Sequence, residues 1–445
     1  MAMARARAEK REDDRREDVE SVGAALASVP LPPDKIIRTR KIWSKLLHAA
    51  ALPLLVGALV FWLEGEFSMG LFRQAWPVMA LLGAAYVGAW VLNSKFERYP
   101  FLNQFEMALL SVGLTLVPAG GVFALMPGSP INTLVLFATI GSAGWYLLDK
   151  VLHHYRNSSL LVLPGGATER LLASPGVSVE ERDDGGGHSG PLDGIVTDLH
   201  TSFSGYANTL AEYSMKGLPT YHAGYIYELV TARVLLGASC KTSIDVSTRR
   251  YYPYIKRGTD LLLVVGSLPV TVPLALLTAL AIRLESRGSL LFWQKRIGRG
   301  GETFQMVKFR SMHVGNKGET DDVFADEEDD RVTTVGRVIR KLRIDELPQF
   351  WNVLKGEMSL IGPRPEQVGL AENFSDNMDL YRYRHLVRPG ISGWAQVLHG
   401  YAADEEETRR KLEHDLYYVK HQSVTLDLLI VYLTLKTILT GFGAR

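Results

Sequence analysis

The sequence predicts a membrane protein of mixed class, helical in its N-terminal part and α/β in the remainder. Three observations support this. Four apolar stretches of bilayer-spanning length follow one another before residue 150. Short strand-like runs then alternate with helical ones, the pattern of a small parallel sheet. A fifth apolar stretch, interrupted by two prolines, leads into a long segment rich in arginine and glycine. The 445 residues leave room for two or three domains.

Composition narrows the class. With 47% hydrophobic and 22% charged residues, the chain suits a folded protein with membrane segments and not a disordered one. A net charge of +1 gives no bulk attraction to nucleic acid, so none is expected as a partner. Cys240 is the sole cysteine, which excludes an internal disulfide and a four-thiolate metal site.

Residues 1–42 read as a flexible cytosolic tail. Their first 20 positions mix both charge signs and lack the apolar run of a signal peptide. Four transmembrane helices are expected within 43–152, at Leu46–Leu63, Ala75–Leu92, Phe105–Met126 and Thr133–Leu148. Trp43, Trp62, Trp76, Trp90 and Trp145 lie within or near their ends, where amphipathic rings favour the headgroup layer. Lys35, Arg38, Arg40, Lys41 and Lys45 precede the first span, Lys95 and Arg98 follow the second, and Lys150 and Arg156 follow the fourth. Basic residues stay cytosolic, so both ends of this bundle belong on the cytosolic side.

Residues 158–248 read as a small Rossmann-like α/β domain. Leu160–Pro164, Gly194–Asp198 and Pro219–Ala223 are expected strands. Helices are expected at Ala167–Leu172 and ending near Gly217. The Gly165-Gly166 turn after the first strand resembles a phosphate corner but lacks the full glycine fingerprint, and a plain βα turn explains it better. Gly185–Gly187 is read as loop.

The fifth apolar stretch, Leu261–Ile282, has Pro269 and Pro273 in its middle and basic residues on both flanks, Lys256 and Arg257 before, Arg283 and Arg287 after. Proline removes a donor and crowds the preceding turn, so a break is expected there. Positive charge at both ends argues against a crossing. A re-entrant helix at about 259–284 follows, opening a second α/β domain at 255–445.

That domain carries the reactive residue types. Lys308 and Arg310 alternate in a strand-like run, which would place both cations on one face. Thr320–Asp330 is acidic but lacks calcium-loop spacing, and reads as a solvated loop. Arg337, Arg340, Lys341 and Arg343 precede Asp345-Glu346. Alone, two carboxylates before Pro348 would be read as helix capping. Amid these cations, a carboxylate is expected to stay ionised and serve as a nucleophile, with the same cations neutralising incoming phosphates. Gly362-Pro363-Arg364-Pro365 is a stiff turn presenting one guanidinium, and Arg382, Arg384 and Arg388 add positive charge. From Leu426 onward a helix is expected either on the membrane surface or in the core.

These motifs together resemble the monotopic polyprenyl-phosphate phosphoglycosyl transferases, or bacterial sugar transferases. The residues concerned are KFRSM at 308–312, D-x-R-V-T at 329–333, R-x-D-E-L-P-Q-x-W-N-V-L-K-G-x-M-S at 343–359, G-P-R-P at 362–365, R-P-G-I-S-G-W-A-Q-V at 388–397 and D-L-Y-Y at 415–418. The match covers roughly 256–445, and the N-terminal layout resembles the larger, exopolysaccharide- or O-antigen-initiating members. The resemblance implies that Asp345 attacks the sugar-bearing phosphate of a UDP-sugar, releases UMP and passes the sugar phosphate to undecaprenyl phosphate, with Glu346 as metal ligand or proton acceptor. Asp345 and Glu346 would hold Mg²⁺. Lys308, Arg310, Arg340, Arg364, Arg388 and Gln396 would contact substrate. The implied location is the cytosolic face of the inner membrane, with the lipid bilayer as partner. A homodimer is compatible with so much membrane surface but is specified by no residue pattern. Where many members have N-G-R after W-A-Q-V, this chain has Leu398-His399-Gly400-Tyr401, so Arg388, Arg409 or Arg410 would have to substitute. The larger members' habit suggests glucose or galactose as the sugar. A conventional glycosyltransferase, with Asp326–Asp330 imitating a D-x-D motif, would release UDP in place of UMP. An inactive membrane scaffold would release neither.

Overall fold

The computed structural model describes residues 25–29, 158–174, 177–179, 192–198, 203–236, 251–313, 331–398 and 405–440, with isolated helical positions between 77 and 125. The rest of the expected four-helix bundle lies outside the described residues, as do the Gly185–Gly187 loop, the Thr320–Asp330 stretch and residues 399–401. The chain forms two compact units, Met1–Ala232 and Arg233–Arg445.

The first unit is built on one five-stranded sheet. Its strands are β1 (Ala25–Val29), β2 (Ser158–Val162), β3 (Ser178–Val179), β4 (Gly194–Thr197) and β5 (Thr220–His222), in the order β3-β1-β2-β4-β5. Strands β2, β4 and β5 are parallel, as the alternation of strands and helices predicts. The helices are α1 (Gly166–Leu172), α2 (Phe203–Met215) and α3 (Ala223–Thr231). Leu161, Leu163, Ile195, Leu210 and Tyr213 make a buried core between sheet and helix. One expectation is corrected. Residues 25–29, read as part of a flexible tail, pair antiparallel with β2, Ala25 opposite Val162 and Val29 opposite Ser158. Five residues are too short a run to carry a periodic signal, and their partner strand lies far along the chain, so local pattern could not reveal the pairing.

The second unit opens with α4 (Tyr252–Glu285), 34 residues that include Pro269 and Pro273. The expected break is absent: the helix is continuous through both prolines. Ser267 Oγ and Thr271 Oγ1 donate back to the carbonyls of Val264 and Ser267 within the same stretch. Helix α4 is long and apolar enough to cross a membrane. Leu262, Val265, Val270, Leu276, Leu277 and Leu280 are each more than half exposed. Leaving six such side chains in water forfeits on the order of 10 kcal/mol relative to an apolar environment.

Both ends of α4 are tied to the same folded body. At the start, Lys256 pairs with Asp427 at 2.9 Å, and Arg257 donates to the carbonyls of Val353 and Leu354. One turn on, Asp260 accepts from Ser359 Oγ at 2.7 Å. At the far end, Glu285 accepts from the backbone N–H of Thr334 (2.7 Å) and Val335 (3.0 Å).

Among the described residues, the body itself combines a hairpin, a short parallel strand pair, six α-helices and short 3-10 turns. Strands β6 (Leu291–Ile297) and β7 (Thr303–Phe309) form the antiparallel hairpin. Helix α5 (Thr334–Lys341) is capped by the Thr333 hydroxyl and by Glu285. A 3-10 turn at Ile344–Gln349 runs into α6 (Phe350–Lys355). Strand β8 (Ser359–Ile361) pairs in parallel with β9 (Gly390–Ser392), and α7 (Val368–Asn377), a 3-10 turn at Tyr381–Leu386 and α8 (Trp394–Leu398) surround them. Helices α9 (Glu405–His421) and α10 (Val424–Thr440) complete the unit. Helix α10 combines both readings open from sequence. Leu426, Leu429, Ile430 and Leu433 face the core at helical spacing, while Leu428, Val431 and Leu435 are exposed on its apolar outer side.

Three glycines fix the turn at 362–365. A Cβ on Gly390 would lie 2.0 Å from the Gly362 nitrogen, and one on Gly393 would lie 2.3 Å from the Gly362 oxygen. Only bare backbone lets β9 and the turn approach this closely.

Candidate functional site

The site forms where α5, the 3-10 turn at Ile344–Gln349, β7 and the turn after β8 meet. Arg343 adopts φ 56°, a left-handed conformation rare for a residue with a side chain. It reverses the chain between α5 and the 3-10 turn and leaves Asp345 and Glu346 buried in the first turn. Capping does not account for them. Glu346 Oε1 is gripped by Arg364 (Nη2 at 3.1 Å, Nη1 at 3.2 Å), Arg343 (3.3 Å) and Lys308 (3.6 Å). Asp345 Oδ1 is buried and has no hydrogen-bond partner among the described residues.

The electrostatics separate the two acids. Burial pushes Glu346 upward, but Arg364, Lys308 and Arg343 more than reverse that and hold it at about 2. Asp345 moves the other way. Burial and the neighbouring Glu346 charge raise it, and the same three cations only moderate the rise. The clustered cations act on both acids, but they touch Glu346 directly and favour its charge more than that of Asp345. Asp345 is left as a desolvated, more basic carboxyl, which makes its anion the stronger nucleophile of the pair. Lys308 is pushed down to about 8, by burial first and then by Arg364, with Glu346 and Asp345 opposing.

The other expected contact residues are placed as follows. Lys308 and Arg364 converge on the acidic pair, and Arg343, from the basic run just ahead of it, joins them. Arg310 does not. Strand β7 ends at Phe309, and the Arg310 terminal nitrogens bond the carbonyls of Ser286 (2.9 Å) and Arg287 (3.1 Å) and the Ser286 hydroxyl (2.8 Å), closing the end of α4. Arg340 donates from Nε to Ser311 Oγ at 2.8 Å. Arg388 donates to the Gly356 carbonyl at the end of α6, and its side-chain environment is shared with Arg257 and Arg299. Gln396 donates to the Ile391 carbonyl at 3.3 Å. Of the arginines considered as substitutes after Gly400, Arg409 bonds the Leu236 carbonyl and Arg410 pairs with Glu406.

Behind the site lies a buried charge network that sequence reading missed. Arg384 bonds Asp415 (2.7 Å) and Tyr381 Oη (2.8 Å), and Lys411 pairs with Glu366 (2.6 Å). Asp415 sits in the D-L-Y-Y motif, the one sequence signal that could have marked it, since a lone carboxylate amid buried aromatics needs a partner. Burial raises Glu366, but Lys411 and Arg384 overcome it and hold the carboxyl at about 2. A carboxyl depressed in the folded state adds stability above its unfolded value and loses it as pH falls towards the folded one. The thermal midpoint in detergent is thus expected to drop between about pH 5 and pH 2. In Glu366→Gln, part of that drop should disappear. An unchanged profile would show that Glu366 is not held ionised by its neighbours.

Two carboxylates are a sparse protein ligand set, which suits Mg²⁺, an ion that takes one or two carboxylates and completes its shell with phosphate oxygens and water. The unpartnered Asp345 Oδ1 fits such an ion. Oε1 of Glu346, already held by three cations, fits it less well.

Comparison with known proteins extends these observations. The family described as bacterial sugar transferase matches residues 251–441. The chain is 42% identical over 375 residues to a UDP-N-acetylgalactosamine-undecaprenyl-phosphate N-acetylgalactosaminephosphotransferase of Aeromonas hydrophila, covering 82% of this chain and 88% of that one. It is 43% identical over 191 residues to a UDP-glucose:undecaprenyl-phosphate glucose-1-phosphate transferase of Caulobacter vibrioides, covering 42% and 71%. An enzyme of the same description from Escherichia coli K12 is 41% identical over 185 residues, covering 40% and 39%.

Proposed function

Because the chain belongs to the bacterial sugar transferases, which are polyprenyl-phosphate phosphoglycosyl transferases, we propose that it moves a hexose-1-phosphate from a UDP-sugar to undecaprenyl phosphate through a covalent intermediate on Asp345. The observation that carries this reading is the asymmetry of the acidic pair: one carboxylate gripped by three cations, its neighbour buried, with an Oδ1 that makes no hydrogen bond among the described residues. In the first step an Asp345 oxygen forms a bond to the sugar-bearing phosphorus, and the P–O bond to UMP breaks. UMP leaves with the bridging oxygen. In the second step an oxygen of undecaprenyl phosphate attacks the same phosphorus, and the Asp345 carboxylate departs. The product is undecaprenyl diphosphate sugar.

Lys308, Arg343 and Arg364 supply fixed positive charge beside the phosphorus that is attacked. Asp345 and Glu346 are the residues that would hold Mg²⁺, which would supply charge neutralisation for the phosphates.

For the donor, a relative aligned over 82% of this chain is named for N-acetylgalactosamine, while two aligned over 42% and 40% of it are named for glucose. UDP-N-acetylgalactosamine is therefore the first donor to test, ahead of the glucose or galactose suggested by the motifs alone.

Helix α4 supports a membrane placement: its exposed apolar side suits lipid, and both its ends are held by one body. That body, with the site, would lie on the side where nucleotide sugars are made, the cytosolic face of the inner membrane. Purified protein given a panel of UDP-sugars and undecaprenyl phosphate should release UMP. Release of UDP would identify a conventional glycosyltransferase instead.

A further inference from the structure

We propose that Arg384, held by Asp415, is a positioning residue for the transfer step: it fixes Arg364 against Glu346 by gripping the Arg364 backbone carbonyl. This inference rests on the phosphosugar-transfer reading above.

The geometry is specific. Arg384 Nη2 donates to the Arg364 oxygen at 2.9 Å and to Asp415 Oδ2 at 2.7 Å. Its Nη1 donates to Tyr381 Oη at 2.8 Å and lies 3.7 Å from Glu366. The carbonyls on either side are held as well. Gly390 N–H bonds the Pro363 oxygen, Arg296 bonds the Pro365 oxygen, and Ile297 N–H bonds the Glu366 oxygen. Four consecutive carbonyls are thus pinned, and two of the four residues are prolines with fixed φ. The Arg364 side chain therefore starts from an immobile base, and its guanidinium reaches Glu346 with little freedom left to lose.

Stability alone does not explain the Arg384–Asp415 pair. Both side chains are almost wholly buried, at 3% and 2% exposure. Apolar residues of similar volume commonly hold such a place as well or better. What an apolar pair could not supply is a donor for the Arg364 carbonyl. Misplacing a charged group by an ångström can cost about a hundredfold in rate without weakening substrate binding to match.

The experiment uses the full chain in detergent with a UDP-sugar that the wild type turns over, undecaprenyl phosphate and UMP release as the readout. Asp415→Asn keeps the shape of the side chain and removes its charge. It is expected to lower kcat about thirtyfold while the donor KM changes less than about threefold. In an Arg364→Met background the same substitution should add less than about a twofold loss, because the residue it acts through is gone. Arg384→Lys, which retains a charge but loses the fork, serves as the second variant should Asp415→Asn fold poorly, with the same expected pattern. A folded variant with wild-type kcat overturns the proposal, and so does an equal loss in both backgrounds. Failure of the wild type to release UMP from any donor would instead remove the transfer reading itself.

Discussion

Asp345→Asn should retain less than about a thousandth of wild-type UMP release, the scale of loss when a nucleophile is removed. It should also melt no lower than the wild type. The second half of this expectation is the more discriminating. Asp345 Oδ1 makes no hydrogen bond among the described residues, so the amide breaks no contact there. Burial already disfavours the Asp345 charge, and a neutral side chain relieves that cost. Glu346→Gln is expected to behave in the opposite sense. It leaves Lys308, Arg343 and Arg364 facing a neutral group in a buried site, and the thermal midpoint should fall. If Asp345→Asn turned over at the wild-type rate, Asp345 would have no part in the chemistry. If it melted well below the wild type, the carboxylate would be a structural anion and the roles assigned to the two acids would have to be exchanged.

That division of labour marks the limit of what the sequence could reveal. The Asp345-Glu346 pair and its cations were visible because the residues lie close along the chain in a specific motif. Which acid the cations grip was not, since Arg343 and Arg364 reach Glu346 through a left-handed residue and a glycine-packed turn, neither of which has a periodic signature. The pairing of Lys308 with Arg310 failed for a related reason. Alternation puts both on one face only while the strand lasts, and β7 stops at Phe309. The parallel strands β2, β4 and β5 were legible from their apolar runs, whereas β1 was not, because its stability comes from a distant partner. In α4 the prolines correctly signalled missing donors. The predicted break did not follow: the helix runs on through both prolines, as helices in apolar surroundings can.

Arg364 and Arg310 give the second large effect, and the contrast between them is the test. Each is an arginine in a family motif, and each would be read from sequence as a phosphate contact. The structure gives them different work. Arg364 aims both terminal nitrogens at Glu346, beside the attacking carboxyl, so Arg364→Met should lower UMP release roughly a hundredfold or more, as loss of a preorganised charge does. Arg310 uses its terminal nitrogens to hold Ser286 and Arg287, where α4 rejoins the body. Arg310→Met removes at least two charge-assisted bonds worth about 1.5–3 kcal/mol each, and the thermal midpoint should drop by roughly 6–12 °C. The fraction that stays folded should keep a kcat close to that of the wild type. The two variants thus separate a residue that acts on the reaction from one that holds the membrane helix to the domain. Should Arg310→Met remain as stable as the wild type yet lose turnover as Arg364→Met does, the guanidinium must leave the helix end and reach the phosphate when substrate binds, and the lock at the end of α4 would have to be a feature of the empty enzyme alone.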